Sequence, residues 1–125
     1  MRPWRSVCTA IVTLSAAIVT FVASVRTETK SRGQELFERR CTGCHALDRD
    51  KEGPRLGGVY GRVSGSVPSF NYSDAVKSAH ITWDANSLDR WLAGPDQLIP
   101  DNDMAFHVES AAERSEIIAY LKQMR

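Results

Sequence analysis

Net charge is what this chain has least of. Its 125 residues carry 16 Lys and Arg against 15 Asp and Glu, a formal +1, so no electrostatic feature points to nucleic acid. Cysteine is scarce as well, with only Cys8, Cys41 and Cys44. No second close cysteine pair exists to complete the usual four-ligand zinc arrangement. No segment alternates convincingly as a strand, and no internal repeat appears. Composition carries no bias towards disorder or towards a collagen-like or mucin-like fibre. The length allows one domain at most, and that domain reads as all-α.

The one long apolar run lies at the start. "MRPWR" supplies two arginines, and Ser6 to Val25 then continue for about twenty residues without a charge, close to the length of a bilayer span. Residues 1–25 are expected to be a signal peptide or an N-terminal membrane anchor, with the arginines on the cytoplasmic side. "FVAS" (Phe21 to Ser24) offers small residues for cleavage. Retained instead, residues 6–25 would associate with the membrane. On either outcome the rest of the chain lies outside the cytoplasm, with residues 26–32 a short linker and residues 33–125 the folded domain. Loss of the leader removes Cys8, Arg2 and Arg5 and leaves a formal charge of about −1. The remaining domain is small, and such domains often carry a staple.

Helix signals are few. Ser31 with Gln34 forms a capping-box pattern, opening a helix that carries Leu36, Phe37 and Cys41 to one side. Thr42 to Asn71 is rich in Gly and Pro and has no sustained period, a long loop of the kind that signals function or a bound group. Ser73 caps a short helix through Ala79. Asn86 or Ser87 starts another, presenting Leu88, Trp91 and Leu92 and stopping at Gly94–Pro95. Leu98 to Phe106 reads as irregular. Ser110 and Glu113 repeat the capping-box pattern, and Ile117, Ile118, Leu121 and Met124 form an apolar stripe. About four short helices and long loops need something in their middle.

"CTGCH" (Cys41 to His45) supplies a candidate. A disulfide between its cysteines would close a tiny loop and restrict the unfolded chain little. A thioredoxin-like dithiol expects a βαβ setting, and His80 and His107 stand in no zinc-finger spacing. C-x-x-C-H is instead the attachment pattern of c-type haem. Thiols at i and i+3 share one helical face and can each add to one of two neighbouring vinyl groups, while His45 presents its imidazole to the iron. An exported domain suits this reading, because bacteria attach c-type haem outside the cytoplasm. For the sixth iron position the residues leave Met104, His80, His107, water or nothing. Met124, near the end of a helix, reads as core filler.

Taken in order, "CTGCH", "GPRLGGVYGR", "FNYSDA", "ITWD", "LIPDNDMAF" and "IIAYLK" resemble the mitochondrial-type class I cytochromes c and their bacterial periplasmic relatives. The resemblance runs from Gly33 to Gln123. It implies a small cytochrome c fold wrapped around one covalent haem c held by Cys41 and Cys44, with His45 as proximal and Met104 as distal ligand. It implies further that the Pro54 carbonyl accepts a hydrogen bond from His45. Arg62, Tyr72 and Trp83 would then sit at the haem propionates, where anionic groups need donors or counter-charge. Gly33 and Phe37 would pack on Tyr120 and Leu121 where the terminal helices cross.

The chain departs from this pattern in places. Trp91 stands where a tyrosine is common, and Val76 replaces a commonly polar residue; both make the distal pocket drier. Lysines are sparse, and Asp96, Asp101 and Asp103 line the Met104 loop, opposed by Arg39, Arg40, Lys51 and Arg55 in the first half. Such a dipolar surface is expected to give modest salt dependence of partner binding.

The function implied is that of a monomeric, periplasmic one-electron carrier and not an enzyme. It would shuttle electrons from respiratory or photosynthetic membrane complexes or periplasmic dehydrogenases to an oxidase or reductase, with redox proteins as partners. The rival readings are a peroxidase-type haem enzyme, in which Met104 leaves and His107 acts as distal base, and a membrane-anchored subunit that passes electrons inside one fixed complex.

Overall fold

The structure, a computed structural model, describes residues 29–125. The leader or anchor expected over residues 1–25, and linker residues 26–28, lie outside the described residues. Five helices follow in order: α1 Arg32–Arg40, α2 Asp74–Ser78, α3 Ala85–Ala93, α4 Pro95–Leu98 and α5 Ala111–Gln123. The all-α reading holds. Among the described residues the only β pairing is an isolated bridge between Val63 and Thr82, and no helix is long and apolar enough to cross a membrane.

The fifth helix is α4, a single turn absent from the sequence expectation. Gly94–Pro95 does end α3, but Pro95 also occupies the first turn of α4, where its fixed φ and missing N–H cost nothing. The start of α3 is corrected too. Its N-cap is Asp84, not Asn86 or Ser87. The Asp84 carboxylate accepts from the Ser87 N–H at 2.8 Å, and the Ser87 hydroxyl accepts from the Asp84 N–H at 2.8 Å. A serine therefore closes the box where Glu or Gln is the usual partner.

The two boxes expected from sequence form only by half. Ser31 and Ser110 cap their helices by accepting from Gln34 N–H and Glu113 N–H. The Gln34 amide, however, donates to Glu38, and the Glu113 carboxylate pairs with Arg40 at 2.6 Å.

The core sits where α1, α3 and α5 meet. Leu36 and Ile117 are fully buried there, beside Leu88, Leu92 and Leu121. α1 and α5 cross at Gly33, where a Cβ would lie 2.2 Å from the Glu116 carbonyl oxygen and 2.8 Å from Tyr120 Cβ. Only glycine permits that approach. One turn on, Phe37 packs against Tyr120 with the rings tilted at 48° and their centroids 5.4 Å apart. Met124 does not extend the α5 stripe; it lies past the helix as its C-cap, and its carbonyl accepts from Gly58 N–H at 2.7 Å. That bond ties the chain end to the long loop. The loop then folds onto α2 at Gly65, whose φ is +69° and whose missing Cβ leaves room for Lys77 Cα.

Candidate functional site

"CTGCH" continues α1 for one further turn. Cys41 caps the helix by donating to the Phe37 carbonyl at 2.8 Å, and Cys44 and His45 both donate back to the Cys41 carbonyl, at 3.2 and 2.9 Å. This sets the two thiols about one turn apart with His45 immediately after. The exposed carbonyls of the turn are claimed from outside: the Lys51 ammonium donates to Thr42 and Gly43 oxygens. A cation at a helical C-terminus also complements the helix dipole. The two thiols are unbridged. Cys44 is exposed, whereas burial pushes the Cys41 thiol up to about 11, with Arg40 pulling weakly the other way.

His45 is oriented by its second nitrogen. Its Nδ1 lies 2.8 Å from the Pro54 carbonyl oxygen, so Nδ1 carries the proton and Nε2 keeps a lone pair for a metal. Burial lowers the imidazole's pKa, the Pro54 bond opposes that and Lys51 adds to it. A neutral ring is the form that ligates. Gly53 leaves the space: a Cβ there would fall 2.2 Å from His45 Cε1 and 2.6 Å from Nδ1.

The backbone holding Pro54 is pinned plane by plane. Arg55 N–H donates to Asp50 Oδ1 at 2.9 Å, and Ser69 bridges Asp50 and the Arg55 guanidinium at 2.6 and 3.0 Å. Arg62 donates to the Arg55 carbonyl at 2.8 Å and to the Gly57 carbonyl at 3.2 Å. Leu56 and Gly57 donate to the Ala46 and Leu47 carbonyls at 2.8 and 2.9 Å.

Met104 arrives from a loop with far fewer ties. Asp101 adopts φ +62°, a left-handed conformation that Asp tolerates better than most residues. The chain thereby doubles back so that Asn102 serves three partners. Its Oδ1 accepts from Met104 N–H at 2.7 Å, and its Nδ2 donates to the Ile99 carbonyl at 2.8 Å and to Asp96 Oδ1 at 2.9 Å.

These two loops line one cleft of about 180 Å³ that reaches into the core as far as Leu88, Leu92 and Ile117. Cys41, His45, Pro54, Arg62, Tyr72, Trp83, Trp91 and Met104 all line it. Cys44, about one turn from Cys41, is exposed and is not among the residues that line it. Trp83 and Trp91 pack against each other at 5.4 Å and 54°. Burial raises the Tyr72 phenol, partly offset by Arg62 nearby, and burial draws the Arg62 guanidinium down, partly offset by Tyr72. The two polar groups thus share one desolvated stretch of wall. His80 and His107 are exposed and off the cleft; His107 lies 3.9 Å from Glu109.

The residues fit a haem. A mostly apolar cleft running into an otherwise close-packed core suits an apolar ligand. A flat apolar group would meet the aliphatic and tryptophan wall. The Cys41 thiol, an imidazole with a free Nε2 and a soft thioether line the cleft, Cys44 follows Cys41 by one turn, and a half-buried guanidinium can face carboxylates.

Sequence reasoning missed Gly53, Asn102, Lys51 and Asp50 as parts of this site. A glycine immediately before a proline in the loop after His45 was the available signal for Gly53. For Asn102 it was an Asn two residues before Met104 in a turn-rich stretch.

The family model for cytochrome c matches residues 31–125. Among curated proteins, the chain is 41% identical over 97 residues to "Cytochrome c" of Chlamydomonas reinhardtii, covering 74% of this chain and 87% of that protein. It is 42% identical over 97 residues to that of Euglena viridis, covering 75% and 95%. Among solved structures it is similar to "cytochrome cH from Methylobacterium extorquens" with a TM-score of 0.69 and 35% identity, over 73% of this chain and 94% of that one.

Proposed function

The chain belongs to the cytochrome c family and is an electron carrier, not an enzyme, with one covalently bound haem c and redox proteins as partners; from this we propose the roles of its residues. Cys41 and Cys44 would hold the haem through thioether bonds, and His45 Nε2 and the Met104 sulfur would ligate its iron. The observation that carries the assignment is convergence on one cleft. His45 has its other nitrogen committed to Pro54, and Met104 is delivered by a braced loop some sixty residues later.

Bound there, the haem supplies a one-electron ferric–ferrous couple. The protein's part is to keep both ligands in place and water away while the charge changes. Pro54 keeps the imidazole neutral and aimed. Trp83, Trp91 and Val76 dry the walls, which disfavours the more highly charged ferric state. Met104, a soft neutral donor, favours the ferrous state as well. Arg62 would supply positive charge to the haem carboxylates, with Tyr72 and Trp83 lining the same cleft. Exposed Phe106, on the Met104 side of the cleft, brings apolar surface to the mouth where a partner would dock.

Residues 1–25 direct export as a signal peptide or stay as an anchor. The carrier works in the periplasm as a monomer between membrane complexes or periplasmic dehydrogenases and an oxidase or reductase. N-terminal sequencing of mature protein distinguishes the two fates of the leader. The ligand assignment is tested by Met104→Ala: the sulfur-to-iron charge-transfer band of the ferric protein should vanish and the reduction potential fall. A band that survives the substitution would assign the distal position elsewhere.

A further inference from the structure

The peptide unit between Pro54 and Arg55 is bonded at both ends. Its carbonyl oxygen accepts from His45 Nδ1–H at 2.8 Å, and its N–H donates to Asp50 Oδ1 at 2.9 Å. The unit is planar and conjugated, so a charge placed on the N–H end polarises the oxygen at the other. Hydrogen bonds in such a chain strengthen one another. We propose that Asp50 is a positioning residue for the proximal ligand, with its carboxylate acting on His45 through the Pro54–Arg55 peptide to set the ligand's orientation and donor strength, and with it the reduction potential. The proposal rests on His45 being the iron ligand.

The geometry favours a carboxylate that is held in place. Asp50 Oδ2 accepts from Ser69 Oγ at 2.6 Å, which fixes the side chain from a loop nineteen residues away. Ser69 in turn accepts from Arg55 Nη1 at 3.0 Å. The charged groups around Asp50 are therefore the Arg55 and Arg62 guanidiniums, with Lys51 next in sequence and turned instead to the Thr42 and Gly43 carbonyls. Asp50 and Arg55 act on the same ligand with opposite sign. The carboxylate pushes electron density towards the carbonyl that holds His45 Nδ1–H and makes the imidazole a stronger donor to ferric iron. Arg55 offsets part of that field. Neither side chain lines the cleft, so each acts only through what it holds.

The opposition in sign is what separates this role from simple bracing. Asp50→Asn preserves shape and an acceptor for Arg55 N–H but removes the charge. It should move the ferric–ferrous equilibrium about threefold towards ferrous, a fraction of what a hydrogen bond to a charged group contributes. The ring N–H of His45 should exchange with solvent faster. Arg55→Gln keeps the backbone N–H and removes the opposing charge, and should shift the equilibrium the other way. Asp50→Ala, which loses acceptor and charge together, should exceed Asp50→Asn in both measurements.

The experiment is optical redox titration of the haem-bearing protein and its three variants, with magnetic resonance following the Arg55 amide and the His45 ring proton. Asn and Gln variants that both match the parent, or that move the potential in the same direction, would overturn the relay. A parent whose ferric spectrum is unchanged by His45→Ala would overturn the ligation on which it stands, an outcome the titrations of Asp50 and Arg55 cannot mimic.

Discussion

The two loops that present His45 and Met104, the proposed iron ligands, are built to different standards. The loop behind His45 is bonded at nearly every peptide from Pro54 to Gly57, by Asp50, Arg62, Ala46 and Leu47 as well as by His45 itself. The loop that carries Met104 depends on one side chain, the amide of Asn102. A ligand held by redundant bonds stays when conditions change, and a ligand held by one is the first to leave. Electron transfer with little rearrangement needs both in place. The asymmetry therefore locates where the carrier is rigid and where it yields.

The largest expected effect breaks the rigid side at its tightest contact. Gly53→Ala would set a Cβ 2.2 Å from the His45 ring, and the Pro54 bond leaves that ring nowhere to turn. Relief means losing the bond or shifting the loop, at a cost of about 1–3 kcal/mol. Gly43 lies inside "CTGCH" itself, yet a Cβ there meets nothing within 4 Å, so Gly43→Ala should change stability by less than about 0.5 kcal/mol. Denaturant unfolding of the haem-bearing proteins compares them. Equal losses for both glycines would mean that the ring has freedom the geometry denies it.

Next comes the single pin on the yielding side. Asn102→Ala removes the acceptor for Met104 N–H and the donors to Ile99 and Asp96 in one step. Net contributions of such bonds imply about a tenfold rise in the affinity of ferric protein for imidazole, which must displace the sulfur. Asn102→Asp keeps the acceptor but sets a second carboxylate beside Asp96, and should loosen the loop too. Imidazole titration of parent and variants reads this directly. Unchanged affinity in both variants would show that other contacts hold Met104.

How much of this contrast was legible in the sequence follows from how local each part is. "CTGCH" puts thiols and ligand within five residues, so its chemistry shows without a fold. Pro54 and Arg62 were reached by resemblance, because nothing within their own segments marks them, and Met104 was one candidate among several until the resemblance singled it out. The bracing residues stayed hidden for different reasons. Gly53 matters through a ring eight residues back, and Asp50 through a peptide unit whose other end faces His45. Asn102 works only because Asp101 takes a left-handed turn that an aspartate does not announce. Asp84 was overlooked as a cap because its reciprocal partner is Ser87, and α4 because Gly94–Pro95 both stops one helix and starts the next.

A smaller effect concerns alkaline conditions and sharpens the picture of the yielding loop. Displacing Met104 needs a nitrogen or oxygen donor close by. Between Leu92 and Met104 the chain has no lysine. Lys77 lies on α2 and pairs with Asp74 at 3.4 Å, while Lys122 on α5 sits 5.2 Å from the centroid of the Tyr60 ring. Bringing either to the iron would require unpacking a helix. The ferric charge-transfer band should therefore persist further into alkali than in relatives with a lysine in this loop, with hydroxide as the eventual replacement. Magnetic resonance signals of a lysine–iron bond at mildly alkaline pH would contradict this.

The smallest effect lies at the acid end and belongs to the rigid side. The Asp50 carboxyl is held below the usual carboxylate range first by the Ser69 hydroxyl, then by Arg55 N–H, with burial opposing and the Arg55 and Arg62 charges assisting. A carboxyl that is more acidic folded than unfolded stabilises the fold above the unfolded pKa, about 3.9. That contribution fades as pH falls through the lower folded value. The proximal loop should accordingly keep its bonds down to about pH 4 and loosen only below. Asp84 and Glu38 are depressed as well, through Ser87 and through Lys30 respectively, so global unfolding in acid cannot be credited to Asp50 alone. The local signal can. As Asp50 takes up its proton the Arg55 amide loses a charged acceptor, and its proton resonance should titrate below about pH 4. In Asp50→Asn the Arg55 resonance should be flat over the same range. An Arg55 resonance that still moves in Asp50→Asn would mean that it follows the unfolding of the whole protein, and the proximal loop would have no acid response of its own.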